Sequence, residues 1–251
     1  ESTIFPGTME EIVLPILETS KLSVGDDYAL VYCPERIDPG NKKWTIANIP
    51  RVLAGACEKC TGRGVEFYGK ILDADVTALQ GFKSAEATKI MENTFRDVNI
   101  AFVNEMARSF DKMGIDIIEV IKGASTKPFA FMPHYPGAGV GGHCIAVDPY
   151  YMIEKAKEAG FSHKFLSLAR EINNGMPEYT VERLEEGAKE AGLESYTVTV
   201  LGLAYKPNID DTRESPAAEI IKLLKKKKIG VKAFDPYVKS DFSDVKEALK
   251  A

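Results

Sequence analysis

Short apolar runs bounded by turn residues mark the first third of the chain. They predict strands at residues 28–32, 51–54 and 75–79. A helical pattern occupies residues 8–17, and residues 1–4 have the composition of a strand end. Strands that alternate with helical segments are typical of a parallel α/β sheet, so we expect one here. In such sheets ligands bind beyond the carboxyl ends of strands, where residues 1–8 and 33–40 provide polar loops.

The middle of the chain has a helical pattern. Residues 84–113 contain neither glycine nor proline, and their apolar side chains recur mostly at helical spacing. At 1.5 Å per residue this segment predicts a helix of roughly 45 Å, which is long for a compact domain. We therefore expect it to span two domains, to pack against a second subunit, or both. Further helices are predicted at residues 115–122, 150–159, 165–176 and 178–190.

The last part of the chain repeats the strand–helix–strand order. The predicted elements are a strand at 197–201, a polar loop at 202–213, a helix at 215–227 and a strand at 231–234. This order is that of one βαβ unit. The loop follows a strand and contains Lys206 and Arg213, so its position and charge are typical of a phosphate or nucleotide contact.

A run of glycines, at positions 137, 139, 141 and 142, stands just before Cys144. Glycine lets the backbone turn tightly and lets a ligand approach closely. A cysteine in such a loop becomes a nucleophile where its surroundings favour the thiolate, although many single cysteines are only small buried apolar residues. If a helix begins near Cys144, Asp148 lies one turn further along on the same face. This stretch is the strongest candidate for chemistry in the chain.

Composition limits the classes of protein to which the chain can belong. An apolar fraction of 45% is ordinary for a globular protein, and a net charge of −5 gives no reason to expect nucleic-acid or acidic-membrane partners. We expect no membrane span, since no run of 18 apolar residues occurs, and the sequence shows no pattern of a secretory signal. Four cysteines in 251 residues favour a reducing, cytoplasmic setting. Cys57 and Cys60 would need two further ligands to hold zinc, and with three histidines in the chain we expect no metal.

Five separated blocks carry a resemblance to a known family. In chain order they are Glu1-Ser2-Thr3 with Pro6-Gly7-Thr8; Cys33-Pro34-Glu35-Arg36-Ile37-Asp38-Pro39-Gly40; Lys89-x-x-x-Asn93 with Asn99-Ile100-Ala101-Phe102-x-Asn104-Glu105; Gly141-Gly142-His143-Cys144-x-x-x-Asp148-Pro149; and Gly202-Leu203-Ala204-Tyr205-Lys206-Pro207 with Asp211-Thr212-Arg213-Glu214-Ser215-Pro216. Their order and spacing resemble the UDP-glucose/GDP-mannose dehydrogenase family along essentially the whole chain. One block alone would be weak evidence, but five in order make chance similarity implausible.

The resemblance implies an α/β fold with parts of two Rossmann-like parallel-sheet domains, joined by a helical dimerisation domain with a long central helix. Residues 1–80 would be the C-terminal half of an NAD-binding domain, 81–193 the helical domain that carries the cysteine, and 194–251 the first part of a UDP-sugar-binding domain. The chain begins at Glu1 rather than methionine, and residues 241–251 have the pattern of a helix start. We therefore expect it to be a section of a longer protein and to be inactive on its own.

The resemblance also implies a reaction: oxidation of the C6 hydroxymethyl group of a nucleotide sugar to a carboxylate by two NAD⁺, through a cysteine thiohemiacetal and thioester. Cys144 matches the nucleophile, and Lys89 and Asn93 match the donors that stabilise the C6 oxygen. Asp148, with Thr3 holding a water, matches the acid/base element, and Glu35 matches the carboxylate of thioester hydrolysis. Cofactor contacts are implied for Thr3, Glu35 and Arg213. Substrate contacts are implied for Lys89, Asn93, Gly141, Tyr205 and Lys206.

Two positions favour an N-acetylated sugar within the family. Pro39 stands where enzymes that act on UDP-glucose typically carry a second glutamate, and His143 stands where they usually carry serine. We therefore expect a UDP-N-acetylhexosamine, most of all UDP-N-acetyl-D-mannosamine, as the substrate. UDP-glucose, UDP-N-acetylglucosamine and GDP-mannose remain alternatives. The resemblance also implies a homodimer through the helical domain.

Two interpretations of another class stay open. The chain would be a non-catalytic module if its helical segment only dimerised and its loops only held a nucleotide, but Cys144, Lys89 and Asn93 argue against that. It would be a thiol hydrolase if His143 activated Cys144, but the side chains of adjacent residues usually diverge.

Overall fold

The computed structural model of the protein describes residues 1–38 and 40–250; Pro39, one of the two positions on which the expected sugar depends, lies outside them. The chain forms two compact units, the first made of Glu1–Thr94 and Asp148–Ser162 and the second of Phe95–Val147 and residues 163–250. The helices are α1 (Leu14–Glu18), α2 (Glu58–Ile71), α3 (Phe82–Met113), α4 (Ile117–Ala124), α5 (His143–Glu158), α6 (Lys164–Asn174), α7 (Met176–Glu190), α8 (Pro216–Lys226) and α9 (Val245–Ala248). The strands are β1 (Val31–Tyr32), β2 (Arg51–Gly55), β3 (Val76–Ala78), β4 (Thr197–Leu201) and β5 (Gly230–Phe234).

The first unit contains a sheet in the order β1-β2-β3, and only part of it is parallel. β2 and β3 are parallel, with Arg51 opposite Val76, because α2 carries the chain back between them. β1 is antiparallel to β2, with Tyr32 opposite Ala54, since the described residues between these strands form no helix that would return the chain. The α/β class is confirmed, but the expected parallel pairing is wrong for β1, and residues 1–4 form no strand.

A carboxylate from α3 holds the amino-terminal helical segment of the first unit. A π-helical turn at Met9–Val13 leads into α1, in which Pro15 lacks the N–H of an ordinary helical bond. Glu86 is fully buried and accepts hydrogen bonds from the N–H groups of Gly7 at 2.6 Å and Met9 at 2.8 Å. Glu86 thus acts as a helix cap supplied from a distant part of the chain. The core of this unit forms around Met9, Tyr32, Ala54, Phe82 and Ala85.

The long helix predicted from the absence of glycine and proline is α3, which is 32 residues long. At 1.5 Å per residue it extends over about 48 Å. Residues up to Thr94 belong to the first unit and residues from Phe95 onward belong to the second. The helix therefore contributes to both units, as expected of a helix longer than a compact domain.

The second unit contains the predicted βαβ motif. β4 and β5 are parallel, with Thr197 opposite Gly230, and α8 connects them. Ser215 caps α8 by accepting a hydrogen bond from the N–H of Ala217. The carboxyl ends of β4 and β5 are therefore side by side, which places the loops that follow them at one edge of the sheet.

The helix that follows the glycine run begins earlier than residue 150. Pro149 lies inside α5 rather than before it, and the first residue of the helix is His143. The start near Cys144, which would place Asp148 one turn away on the same face, is the one observed. The starts of α4, α6 and α7 lie within two residues of the predicted ones.

Candidate active site

The residues expected to carry the chemistry fall into two groups, one in each compact unit. The first group consists of Thr3, Glu35, Lys89, Asn93 and Asp148. The second consists of Gly141, Cys144, Tyr205, Lys206 and Arg213. In both groups, residues from separate elements meet.

Asn93 and Asp148 are in direct contact inside the first unit. The Asn93 amide on α3 donates a 2.5 Å hydrogen bond to a carboxylate oxygen of Asp148 on α5, and both side chains are buried. Asparagine is unfavourable inside a helix because it competes for backbone hydrogen bonds. This contact gives the side chain of Asn93 a buried partner instead, as buried polar groups require.

Lys89 lies one turn before Asn93 on α3 and is only 9% exposed. Lysine is rarely buried to this degree unless its amine is paired or used, so Lys89 is not an ordinary solvated helix residue. Residues at i and i+4 share one face of a helix. A cationic amine and an amide therefore project from one stripe of α3.

Glu35 stands in the loop after β1, bound to its own loop and to β2. One carboxylate oxygen accepts the N–H groups of Arg36 and Ile37, both at 2.6 Å, and the Arg51 guanidinium at 3.1 Å. Burial acts to raise the pKa of this carboxyl, but the Ile37 N–H and the Arg51 guanidinium outweigh it and hold the pKa below its usual value. Glu35 is thus an ionised carboxylate at neutral pH, with its side chain 34% exposed.

A second ion pair attaches the same loop to α3. The Arg36 guanidinium donates to both carboxylate oxygens of Glu92, at 2.5 and 3.3 Å, and to the Pro50 carbonyl at 2.9 Å. Glu92 directly precedes Asn93, so the pair positions the loop beside the helix that carries the candidate donors. No sequence pattern indicated Glu92, since acidic residues on helices are mostly solvated.

Thr3 is half-buried and lies next to a residue that bonds β1. The carbonyl of the preceding residue, Ser2, accepts a 2.7 Å hydrogen bond from the hydroxyl of Tyr32, the last residue of β1. This bond attaches the backbone beside Thr3 to the side chain of Tyr32. Glu35 follows Tyr32 by three residues, so the same tyrosine stands close to Glu35 in sequence and beside Thr3 through its hydroxyl.

The glycine run before Cys144 packs against the loop after β4. A Cβ atom on Gly141 would lie 2.7 Å from Cβ of Tyr205, and one on Gly142 would lie 2.7 Å from the Tyr205 ring. These distances leave no room for a side chain, so both positions require glycine. The N–H of Gly142 also donates to the Arg213 carbonyl at 3.2 Å. Gly141 and Tyr205, both expected to contact substrate, are neighbours in the structure.

A buried chain of side-chain amides links α3 to the beginning of the glycine run. The Asn173 amide on α6 donates to Asp97 on α3 at 2.8 Å. The Asn104 amide donates to the Asn173 oxygen at 2.9 Å, and the Asn104 oxygen accepts the N–H of Gly137 at 2.9 Å. All three side chains are buried, so removing one would leave its partners desolvated without a bond. The loop that leads to the helix carrying Cys144 is thereby fixed at Gly137.

Cys144 is the second residue of α5 and is exposed. The first turn of a helix carries partial positive charge, so the sulfur stands at the positive end of the α5 dipole. Arg213 is within electrostatic reach of the sulfur, although its guanidinium binds Asp211 at 2.6 Å and thereby lowers the pKa of that carboxyl to about 2. His143 precedes Cys144 in the same helix, about 100° away around the axis, so it is not directed at the sulfur.

The cavity beyond β4 and β5 is shaped by Asp235, which was not predicted. Its carboxylate accepts N–H groups from the loops after both strands, those of Leu203 at 2.7 Å, Ala204 at 3.0 Å, Tyr237 at 2.8 Å and Val238 at 3.1 Å. Burial acts to raise the pKa of Asp235, but these donors hold it below its usual value. The loops enclose a cavity of about 400 Å³ lined in part by Tyr205 and Lys206, at the edge where open α/β sheets bind ligands. An acidic residue directly after a predicted strand was the available sequence signal.

The residues expected to hold NAD fit that role in part. Thr3 and Glu35 are partly exposed, and a hydroxyl and a carboxylate are suitable partners for ribose hydroxyls or an amide. Arg213 belongs to the other unit, where its guanidinium is exposed and paired with Asp211. Among residues 1–38 and 40–250, no group of three or more His, Cys, Asp or Glu side chains is placed to hold a metal ion.

The chain is similar to three domain models of one family. Residues 1–72 match the NAD binding domain, 83–175 the central domain and 199–250 the UDP binding domain of the UDP-glucose/GDP-mannose dehydrogenase family. These matches agree with an NAD cofactor for the first part of the chain. The three matched segments follow one another along the chain and do not overlap.

Individual proteins that are similar to this chain are named as dehydrogenases of nucleotide sugars. A UDP-N-acetyl-D-glucosamine 6-dehydrogenase of Pseudomonas aeruginosa is 38% identical over 244 residues, which cover 96% of this chain and 57% of that protein. A UDP-N-acetyl-D-mannosamine dehydrogenase of Methanocaldococcus jannaschii is 38% identical over 239 residues, which cover 95% and 52%. A solved structure of UDP-D-ManNAc dehydrogenase from Pyrococcus horikoshii matches with a TM-score of 0.91 at 34% identity, covering 99% of this chain and 59% of that one.

The chain spans a little over half the length of the curated relatives it matches. In the part of the chain that the structure describes, every helix is too short or too polar to cross a membrane.

Proposed function

Because the chain belongs to the UDP-glucose/GDP-mannose dehydrogenase family, we propose that the whole protein is an NAD-dependent nucleotide-sugar 6-dehydrogenase. The observation that supports this most directly is the buried Asn93–Asp148 hydrogen bond, on the two helices that also carry Lys89 and Cys144. Oxidation of an alcohol to an acid through a covalent adduct needs a nucleophile, a proton acceptor and donors for an oxyanion. The residue types on α3 and α5 meet all three needs.

In the proposed reaction, Asp148 accepts the proton of the C6 hydroxyl as the carbon is oxidised to an aldehyde. The Cys144 thiolate adds to the aldehyde carbon and forms a thiohemiacetal, whose oxygen the Lys89 amine and the Asn93 amide stabilise. A second oxidation converts this adduct to a thioester, and water, assisted by Glu35, releases the carboxylate and frees the thiol. NAD supplies hydride acceptance in both oxidations. Covalent capture keeps the reactive aldehyde on the protein.

The proposed substrate is a UDP-N-acetylhexosamine, with UDP-N-acetyl-D-mannosamine preferred. Relatives named for the mannosamine and the glucosamine sugar match equally, at 38% identity, so similarity alone does not choose between them. The N-acetylated class is supported by Pro39 and His143, two departures from enzymes that act on UDP-glucose, and the choice of the mannosamine sugar within that class is the one to be tested.

A panel of nucleotide sugars tests both the reaction and the substrate. The whole protein is given NAD⁺ with UDP-N-acetyl-D-mannosamine, UDP-N-acetyl-D-glucosamine, UDP-glucose or GDP-mannose, and NADH absorbance is followed. We expect two NADH per sugar and the highest kcat/KM with UDP-N-acetyl-D-mannosamine. A higher kcat/KM with UDP-glucose or GDP-mannose would contradict the N-acetylhexosamine assignment. Binding of UDP without NADH formation from any of the four sugars would favour the non-catalytic module.

We further propose a homodimer formed through the helical region predicted at residues 81–193. The second half of α3 and α4 expose an apolar groove of about 580 Å³, lined mainly by Phe95, Phe102, Met106, Phe110, Val120 and Phe131. Contiguous exposed apolar surface of this kind is typical of protein–protein interfaces, and a second copy of the chain is the proposed occupant.

Sedimentation of two matched variants tests the dimer. Phe102 on α3 is 59% exposed and Phe67 on α2 is 58% exposed, but only Phe102 lines the groove. Phe102→Glu is expected to give a monomer at concentrations where the wild type and Phe67→Glu are dimers. A monomeric wild type, or a dimeric Phe102→Glu protein, would overturn the proposal.

A further inference from the structure

Cys57 and Cys60 form a close thiol pair at the amino-terminal end of α2, and neither has a role in the proposed reaction. Their sulfur atoms are 2.8 Å apart, and the N–H of Cys60 donates to the Cys57 sulfur at 3.3 Å. Both thiols are free. We propose that this pair is a reversible redox site, which exchanges with small-molecule disulfides and closes to an intramolecular disulfide.

The backbone around the pair holds the two sulfurs on one side of the helix start. Cys57 is the N-cap of α2, and its carbonyl accepts the N–H of Thr61 at 2.9 Å as the first helical bond. The Thr61 hydroxyl accepts the N–H of Gly55 at 3.0 Å, which attaches the helix start to the end of β2. Residues at i and i+3 of a helix are neighbours, and their separation lies in the range that a disulfide spans. Closing the bond therefore needs little backbone movement.

The two thiols have different surroundings, as an exchange site requires. Cys57 is partly exposed, whereas Cys60 is 0% exposed. Hydrogen bonds from Cys60 hold the pKa of Cys57 below its usual value, and burial raises the pKa of Cys60. Lys59, paired with Asp26 at 2.9 Å, adds positive charge nearby. Cys57 is thus the attacking thiolate and Cys60 the resolving thiol.

The proposed exchange has two steps. The Cys57 thiolate attacks one sulfur of a disulfide R–S–S–R, forms the mixed disulfide Cys57–S–S–R and releases one thiolate RS⁻. Cys60 then loses its proton and attacks the Cys57 sulfur, which forms the Cys57–Cys60 bond and releases the second RS⁻. The protein loses two electrons and two protons, and the disulfide is reduced to two thiols. In the reducing setting expected from the cysteine content, such a bond is transient and responsive rather than structural.

Tryptic digestion offers a direct test, because Lys59 lies between the two cysteines. The full chain is equilibrated with defined ratios of oxidised to reduced glutathione, alkylated and digested. If the disulfide forms, peptides 52–59 and 60–63 stay linked, and the linked fraction rises with the ratio and disappears after dithiothreitol treatment. Complete alkylation of both peptides at a ratio that modifies the exposed Cys144 would overturn the proposal. So would a mixed disulfide at Cys57 that never resolves to the linked form.

Two variants assign the steps. Cys57→Ser keeps an N-cap oxygen acceptor, so α2 should remain intact, and neither the linked peptides nor a glutathione adduct on Cys60 should appear. Cys60→Ser should accumulate glutathione on Cys57 because the resolving thiol is absent. Adduct formation at buried Cys60 in the Cys57→Ser protein would contradict the assignment of Cys57 as the attacking group.

Discussion

The Asn93 amide donates its hydrogen bond to a carboxylate 55 residues further along the chain, that of Asp148. An amide nitrogen carries two N–H groups, so this bond uses one and fixes the direction of the other. In the proposed reaction the second N–H is directed at the substrate oxygen. Asp148 then positions the oxyanion donor in addition to accepting the proton of the alcohol.

Asp148→Asn should lower kcat of the whole protein by roughly 10²–10⁴-fold, because the proposed general base is lost while the side-chain shape is kept. Asp73→Asn is the matched control, since Asp73 is exposed in the loop between α2 and β3. The rates are measured as NADH formation at saturating sugar, with circular dichroism to verify the fold. An Asp148→Asn enzyme with wild-type kcat would remove Asp148 from the reaction.

Cys144→Ser should lower the rate of acid formation by orders of magnitude, because a serine hydroxyl cannot replace the thiolate in the proposed thioester route. Cys57→Ser, which alters a cysteine outside the proposed reaction, should keep wild-type turnover. Product is quantified as uronic acid per enzyme over time. Retained turnover in the Cys144→Ser protein would refute covalent catalysis.

Asn104→Ala should destabilise the protein by about 1–3 kcal/mol, because the buried Asn173 amide loses a partner. The N–H of Gly137 loses its acceptor at the same time. Asn99→Ala is the control on the same helix; its exposed amide donates to the carbonyl of Phe95, one turn back, and the change should stay within roughly 0.5 kcal/mol. Urea midpoints give the comparison, and equal midpoints for the two variants would show that the buried amide chain does not hold the loop.

Gly142→Ala should lower the free energy of unfolding more than Gly160→Ala does. Both glycines have positive φ, +83° and +82°, but a Cβ on Gly142 meets the Tyr205 ring at 2.7 Å whereas one on Gly160 meets nothing within 4 Å. Gly160→Ala should therefore cost only the backbone term of about 1–2 kcal/mol. Gly142→Ala should add about 1–3 kcal/mol of overpacking.

A double variant isolates the ring contact. In a Tyr205→Ala background, Gly142→Ala should cost no more than Gly160→Ala, because the ring that it would strike is gone. Unfolding free energies from urea titration provide all the terms of this cycle. If the extra cost persists without the ring, the contact with Tyr205 is not its cause.

The stabilisation that Asp235 provides should disappear in acid. The pKa of this carboxyl is lower in the folded protein than its ordinary 3.8, so its contribution is complete above that value and is lost as pH falls through the folded pKa. Asp235→Asn cannot accept all four N–H groups, and should cost about 1–3 kcal/mol at neutral pH. The difference in urea midpoint between wild type and variant should be present at neutral pH and shrink as the pH falls below 3.8. A difference that is constant or grows on acidification would contradict the prediction.

The helices and strands that could be predicted are those whose signal lies in the order of apolar, polar, glycine and proline residues within one short segment. α3 follows from thirty positions without glycine or proline, and β4, α8 and β5 follow from a local alternation of apolar and polar runs. The direction of β1 depends on how residues 33–50 return the chain, which no periodicity records. The helix predicted at residues 150–159 begins seven residues after the observed start of α5 at His143, and α5 continues through Pro149.

Within the candidate site, the residues that could be predicted are those that depart from local preference. A glycine run and an asparagine inside a helix are unfavourable where they stand, and such departures indicate a tertiary or functional cause. By contrast, nothing in the neighbouring sequence sets Glu86 or Glu92 apart from other acidic residues, and Asp235 differs only in following a predicted strand. Their roles come from donors far away in sequence, such as Gly7, 79 residues from Glu86, and Leu203, 32 residues from Asp235.

The packing of Tyr205 on Gly142 has a consequence for how substrate binding energy is used. The loop proposed to bind the nucleotide and the turn before Cys144, the proposed nucleophile, meet at the Tyr205 ring, so a ligand that holds the loop in place also restrains the turn. In the proposed reaction, binding energy from the nucleotide, which does not react, would therefore help to position Cys144 against the C6 carbon of the sugar. A sugar without its nucleoside diphosphate is therefore expected to have a lower kcat as well as a higher KM.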